Sequence, residues 1–168
     1  MVSSAKRAQG LHDRPIYVLG SGFAHWHRQI SCMEDLTVTP AVESGRKAFA
    51  QAGLRPADID VFFPYDGYSI DAVAIVEAAG FCGIGEATDY FRSSWDPARQ
   101  QLLFNGRTPV TTNGGGLSHG RSGGSNLYAE AVRQLRGNEG DRQVPGARTA
   151  LVGIGSFFHD PAAMTFCR

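Results

Sequence analysis

The chain has little that would direct it to a membrane, a polyanion or a disulfide scaffold. Its 16 Lys and Arg balance 16 Asp and Glu, so no basic surface for nucleic acid or anionic lipid is predicted. No apolar run approaches the roughly 18 residues of a membrane span, and the first residues lack the apolar stretch of a secretory signal. Three widely spaced cysteines argue against a disulfide framework and a CxxC metal site. We expect a cytoplasmic protein with reduced cysteines, no bound metal and no nucleic acid or membrane partner.

Glycine is the residue in excess. It fills 21 of the 168 positions, well above its usual share of about 7%, and the excess lies in the segments between regular elements. This distribution is typical of an α/β fold that depends on tight turns. The length is that of one globular domain. We therefore expect residues 1–14 to be a flexible N-terminus and residues 15–168 to form a single domain.

Hydrophobic periodicity predicts the element order βαβαβαββ. Short apolar runs rich in β-branched and aromatic residues predict strands, and Pro40 and Gly53 mark the start and end of the first helix. This order predicts an α/β fold with a mostly parallel five-stranded sheet and helices on both faces. Residues 83–107 show no sustained period. The strands are predicted at residues 16–20, 58–63, 109–112, 149–153 and 163–167, and the helices at 40–52, 69–79 and 127–136.

Three predicted loops meet at one edge of this sheet, because ligands in open α/β sheets bind outside the carboxyl ends of the strands. They are residues 64–68, a glycine loop at residues 111–126 and residues 154–159. Glycine N–H groups can approach an anion closely, and the helix after the glycine loop adds its positive end. A flexible surface loop has the same composition, and the spacing matches neither the P-loop nor the dinucleotide fingerprint.

These loops, in this order, resemble the C-terminal half of the thiolase superfamily. The resemblance is closest to the branch of lipid-transfer-protein and acetyl-CoA acetyltransferase-like proteins that includes the steroid side-chain aldolases. Residues 65–68, Y-D-G-Y, are similar to the aldolases' Y-D-S-F, where ordinary thiolases carry N-E-A-F. Residues 113–117, N-G-G-G-L, match the family's N-x-G-G-L turn, and residues 129–137 and 142–148 are also similar to the aldolase-like branch.

Three departures from the thiolase pattern bear on the chemistry. The histidine of the thiolase G-H-P-x-G motif is shifted: His119 stands where the aldolase-like branch has tyrosine, and Arg121 where that branch has histidine. The catalytic C-x-G cysteine is missing from residues 151–156, which argues against the two-cysteine Claisen route. The nucleophilic cysteine of thiolases belongs to their N-terminal half, and this chain begins near the junction. We therefore expect that a complete thiolase site cannot form from it alone.

Cleavage of a carbon–carbon bond beside a carbonyl needs a base, a group that holds the enolate oxygen, and an acid. We predict that His119 is the general acid and base, that Tyr65 contacts the substrate hydroxyl and that Asp66 orients one of them. A packed loop tyrosine, a backbone-bonded histidine and a turn-forming aspartate are the structural alternatives. The predicted contacts to the substrate or to coenzyme A are Asn113, Gly114, Gly115, Gly116, Ser118, Arg121 and Gly155.

The resemblance implies two alternative functions. The first is a thiolase-like acyl-CoA-processing subunit that makes or breaks a carbon–carbon bond, by retro-aldol chemistry or acyl transfer, together with an N-terminal half or partner. The second is a non-catalytic acyl-CoA-binding or scaffolding subunit. Coenzyme A thioester is the expected substrate, with no bound cofactor. The implied partners are thiolase-like halves in a homo- or hetero-oligomer and an OB-fold zinc-ribbon acyl-CoA-binding protein.

Overall fold

The computed structural model describes residues 2–10, 14–120, 122–154 and 160–168. The described residues form six α-helices and seven strands. Helices α1 to α6 span Ala5–Ala8, Ala41–Ala52, Ser69–Ala78, Ala87–Ser94, Gly115–His119 and Ser125–Arg136. Strands β1 to β7 span Tyr17–Phe23, Val61–Pro64, Trp95–Asp96, Gln101–Phe104, Thr108–Pro109, Thr149–Ile154 and Ala162–Cys167.

The main sheet has the strand order β1-β7-β6-β2. β2 and β6 are parallel, whereas β7 runs antiparallel to both β6 and β1. The predicted α/β class is confirmed, but the sheet is mixed rather than mostly parallel, because the return strand of the closing hairpin lies between β6 and β1. The strand predicted at 109–112 contributes only one parallel bridge, Val110 to Phe62. Thr108 and Pro109 pair with β4 instead, and Thr111 leaves the extended conformation with φ +49°.

Helix α2 lies directly on β1 because two glycines let the backbones approach. A Cβ atom at Gly20 would stand 2.1 Å from the carbonyl oxygen of Ala48, and one at Gly22 would stand 1.8 Å from that of Ser44. The helix ends at Gly53, as predicted, with φ +67°. The G-S-G sequence of β1 therefore serves helix packing rather than ligand binding.

The core has two parts, one on each face of the sheet, which confirms the prediction of helices on both faces. Phe62 of β2 belongs to the cluster under α2 and α3, while Val61 and Phe63 belong to the cluster under α6. A strand buried on both faces has this near-continuous apolar sequence. The segment at 83–107 is more regular than its sequence suggests, with α4 and strands β3 and β4, and it contributes Phe104, whose ring centroid lies 5.3 Å from that of Phe81.

The remaining expectations for the chain as a whole concern its start and its cysteines. Ser4 caps the single turn of α1, and the flexibility of residues 1–14 stays a prediction. All three cysteines are free thiols. Burial, with the nearby carboxylates of Glu77 and Glu86, raises the pKa of Cys82 to about 11, so this thiol stays protonated at neutral pH. Across the described ranges, no helix is long and apolar enough to cross a membrane.

Candidate active-site cleft

Two of the three predicted loops lie side by side at the carboxyl end of β2. The first, residues 65–68, directly follows Pro64, and the N–H of Tyr65 donates to the carbonyl of Gly153 at 2.7 Å. The second, the glycine loop, starts next to it because the N–H of Thr111 donates to the carbonyl of Phe62 at 3.0 Å. The most informative part of the third loop, residues 155–159, lies outside the described residues.

Asp66 joins the two loops. Its side chain is buried, and its carboxylate accepts from the N–H of Gly116 at 2.5 Å and from that of Leu117 at 3.2 Å. A Cβ atom at Gly115 would stand 2.2 Å from Asp66 Oδ2. The glycines here make room for an aspartate of the neighbouring loop, so Asp66 orients backbone.

The N–H groups of the glycine loop are already occupied by acceptors of the protein. The N–H of Gly114 donates to the carbonyl of Thr111 at 2.8 Å, and that of Gly115 donates to Asn113 Oδ1 at 3.1 Å. Together with the two bonds to Asp66, this accounts for four successive backbone donors. The sequence suggested that such donors could meet an anion, but in this geometry they hold the loop in shape.

A cleft of about 360 Å³ opens between the two loops. Its lining residues are Tyr65, Gly67, Tyr68, Gly116, Leu117, Gly120 and Ser122. Gly67 leaves space for the ring of Tyr65, because a Cβ atom there would stand 2.5 Å from a ring carbon. The exposed side chains of Tyr68 and Leu117 give the mouth of the cleft an apolar character.

The structure brings together only some of the predicted site residues. Tyr65 and Gly116 line the cleft, with Asp66 and Gly115 locked behind them. Asn113 Oδ1 accepts the N–H of Gly115. The Ser118 side chain is exposed and lies close to Gly114, because a Cβ atom at Gly114 would stand 2.6 Å from Ser118 Oγ.

His119 is the last residue of α5, and its side chain is exposed. It is not among the cleft-lining residues in the described part of the chain. Arg121 and Gly155 lie outside the described residues.

Sequence reasoning missed a buried polar cluster behind the glycine loop. The hydroxyl of Thr112 donates to Glu130 Oε1 at 2.7 Å, and Gln134 Nε2 donates to the same two side chains at 3.1 and 3.2 Å. Arg142 approaches Glu130 Oε2 at 3.4 Å and also pairs with Glu139. A signal was present, since Glu130 and Gln134 fall on the same helical stripe as the buried leucines of α6.

A second buried carboxylate lies next to the cleft. Asp71, in the first turn of α3, accepts from the N–H of Tyr68 at 3.1 Å. Burial outweighs this bond and raises the pKa of Asp71 above its usual range. In the part of the chain that the structure describes, no group of three or more His, Cys, Asp or Glu side chains could hold a metal ion.

Residues 22–168 match the thiolase C-terminal domain-like family. The chain is 31% identical over 166 residues to 17-hydroxy-3-oxo-4-pregnene-20-carboxyl-CoA lyase of Mycobacterium tuberculosis. The match covers 93% of this chain and 40% of the relative. It is 33% identical over 142 residues to the steroid side-chain-cleaving aldolase of Thermomonospora curvata, a match that covers 82% of this chain and 35% of the relative. An acetyl-CoA acetyltransferase of Methanothermobacter thermautotrophicus is 33% identical over 151 residues, with 88% and 38% covered. The chain thus spans at most 40% of the length of these relatives.

Two solved structures share the fold. The Ltp2-ChsH2(DUF35) aldolase superposes with a TM-score of 0.82 at 27% identity, over 97% of this chain and 42% of that one. A monomeric SCP2-thiolase-like protein of Mycobacterium smegmatis gives a TM-score of 0.62 at 22% identity, over 90% of this chain and 28% of that one. At this identity the likeness supports the fold alone. The resemblance inferred from the loop motifs is confirmed. The chain belongs to the thiolase C-terminal domain-like family.

Proposed function

We propose that this chain supplies the Tyr65 side of the active site of an acyl-CoA carbon–carbon lyase. The observation that carries the proposal is the position of Tyr65 in a cleft between two loops that Asp66 locks together. The M. tuberculosis relative is named as a lyase of a hydroxylated carboxyl-CoA, and the T. curvata relative as an aldolase. Both names fit a retro-aldol reaction on a β-hydroxyacyl-CoA thioester, which enters as substrate and requires no resident cofactor in this proposal.

In this reaction a base removes the hydroxyl proton and the carbon–carbon bond breaks, so that its electron pair forms the enolate of the thioester. An acid then protonates the enolate carbon. Tyr65 contacts the substrate hydroxyl in our proposal, and His119 transfers the proton. Contacts to the thioester and coenzyme A remain proposed for Asn113, Gly114, Gly115, Gly116, Ser118, Arg121 and Gly155, with the glycines of residues 114–116 contributing atoms other than their N–H groups.

The stabilisation of the enolate oxygen needs a donor other than the amides of residues 114–117. Those four donors already have acceptors within the protein, and releasing the N–H groups of Gly116 and Leu117 would leave the buried Asp66 carboxylate unpaired, which is costly. We therefore propose that this donor is a side chain of the cleft or a group of the partner half.

A second thiolase-like half completes the site in this proposal. The relatives are more than twice as long as the matched region, and α3 is apolar on nearly all sides although Ile70 is exposed. Helices of that composition are normally buried. We propose a homo- or hetero-oligomer with such a half and an OB-fold zinc-ribbon acyl-CoA-binding partner. Three unpaired cysteines suit a reducing compartment, the cytoplasm.

A non-catalytic acyl-CoA-binding subunit is the second candidate. It is favoured by the position of His119 outside the cleft lining and by the occupied loop donors.

The two candidates are separated by one pair of measurements on the complete protein with its partner half. Calorimetric titration with β-hydroxyacyl-CoAs measures binding, and chromatography measures release of the shortened acyl-CoA. Binding with release supports the lyase, binding without release supports the binding subunit, and no binding to any chain length contradicts both.

A further inference from the structure

We propose that Glu130 is a positioning residue that sets the glycine loop through the hydroxyl of Thr112. The inference rests on the proposed function for its catalytic meaning, because the loop it sets forms one wall of the proposed cleft. Glu130 lies on α6, behind the loop, within the segment 129–137 that is similar to the aldolase-like branch, but the sequence predicted no role for it.

The carboxylate of Glu130 is buried. Glu130 is only 5% exposed, and a buried carboxylate is retained only where hydrogen bonds and a cation compensate for lost hydration. Its Oε1 accepts from Thr112 Oγ1 at 2.7 Å and from Gln134 Nε2 at 3.2 Å, and its Oε2 lies 3.4 Å from Arg142 Nη2. The shortest of these contacts goes to the glycine loop.

The backbone next to Thr112 is strained. Thr111 has φ +49°, a region that β-branched residues avoid, so the surrounding structure must hold it there. Its N–H is fixed to the carbonyl of Phe62 on one side, at 3.0 Å, and its carbonyl accepts the N–H of Gly114 at 2.8 Å. The bond from Thr112 to Glu130 is the shorter of two side-chain bonds that anchor this turn, the other being the bond that Gln134 Nε2 donates to the Thr112 hydroxyl at 3.1 Å.

This anchoring has a consequence for the cleft. The turn at Thr111 directs the chain from the edge of β2 toward α6, and the loop then returns to place Gly116 and Leu117 against Asp66. The loop is thus held at two points, by Glu130 from α6 and by Asp66 from the facing loop. Loss of the Glu130 anchor should let Gly115 and Gly116 move relative to Tyr65.

The test uses hydrogen exchange of the Gly115 and Gly116 amides, followed by NMR on the complete protein. Thr112→Val keeps the shape but removes the hydroxyl, and we expect at least about tenfold faster exchange at both amides, the scale of one lost hydrogen bond to a charged group. Thr112→Ser keeps the hydroxyl and should stay within about twofold of the wild type.

Thr165→Val is the matched control. Thr165 is fully buried, whereas Thr112 is half-buried, and the Thr165 hydroxyl donates to the carbonyl of Gly20, in another part of the sheet. It should lower global stability without selective acceleration at Gly115 and Gly116. If Thr112→Val leaves these two amides unchanged, or if Thr165→Val accelerates them as much, the positioning role of Glu130 is overturned.

Turnover of a β-hydroxyacyl-CoA by the assembled protein gives the second readout. We expect Thr112→Val to lower kcat with a smaller change in KM, and Thr112→Ser to restore kcat. If the wild type has no turnover, the proposed function fails on its own, while the amide exchange still decides the positioning proposal.

Discussion

Gly115 and Asp66 show how one residue's missing side chain can define a site. The carboxylate of Asp66 occupies the space in which a Cβ atom of Gly115 would lie, at 2.2 Å. Position 115 also has φ +68°, a conformation that residues with a side chain rarely adopt. The sequence alone predicted both residues as part of the site, but it assigned the glycines to a ligand rather than to Asp66.

We expect Gly115→Ala to destabilise the protein by on the order of 3 kcal/mol, because it adds a clash with Asp66 to the backbone strain. Gly137→Ala is the control, since Gly137 has φ +80° in the left-handed helical region and open space around its Cβ position, so that only strain of about 1 kcal/mol applies. Urea denaturation measures both. Equal losses for the two variants would show that the contact with Asp66 contributes nothing.

At the scale of elements, helix periodicity and end signals were sufficient to predict α2, α3 and α6. The closing strands were also predictable from their apolar runs. The sequence could not predict that Thr111 turns the chain away after a single bridge to β2, because its positive φ depends on tertiary contacts. Strands β3 and β5, with two residues each, are too short to produce a periodic signal.

The contact of α2 with β1 should be sensitive to a single methyl group. Gly22→Ala would place a Cβ atom 1.8 Å from the carbonyl oxygen of Ser44, so the helix must move away from the strand. We expect a loss of about 2–4 kcal/mol, measured by chemical denaturation. The exposed neighbour Ser21 is the control, and Ser21→Ala should cost well under about 1 kcal/mol. A Gly22→Ala variant as stable as Ser21→Ala would contradict the close packing.

The start of β6 should give the fold an acid-sensitive contact. Partial burial would raise the pKa of Asp60, but its bonds to the N–H groups of Arg148 and Thr149, the Thr149 hydroxyl and Arg107 outweigh burial and hold the pKa below its usual range. The stabilisation that these bonds give the folded protein is therefore present above the ordinary pKa near 3.9. It is lost as the pH falls through the lower pKa that Asp60 has in the folded protein.

We expect Asp60→Asn to lose stability less steeply than the wild type between about pH 5 and pH 2. Thermal unfolding at a series of pH values measures this slope. Parallel curves for the two proteins would mean that Asp60 is not perturbed by folding.

At the scale of the whole molecule, the chain carries a cleft between two of its own loops and spans at most 40% of the length of its enzyme relatives. The meeting of residues 65–68 with the glycine loop was predictable, because both segments follow neighbouring strands at the same edge of the sheet. The contact of Glu130 with Thr112 was not predictable, since polar residues on a buried helical stripe indicate a partner without identifying it. The sequence also could not reveal that His119 is exposed and is not among the described residues that line the cleft.

The central claim is that Tyr65 acts on an acyl-CoA in this cleft, and turnover of a β-hydroxyacyl-CoA by the complete protein with its partner half tests it most directly. Tyr65→Phe should lower kcat by roughly 10²–10⁴-fold, and a double variant that adds His119→Gln should be little worse than the poorer single variant. Tyr17→Phe, on β1, is the matched control and should retain wild-type turnover. Full turnover by Tyr65→Phe, with folding and acyl-CoA affinity unchanged, would contradict the account.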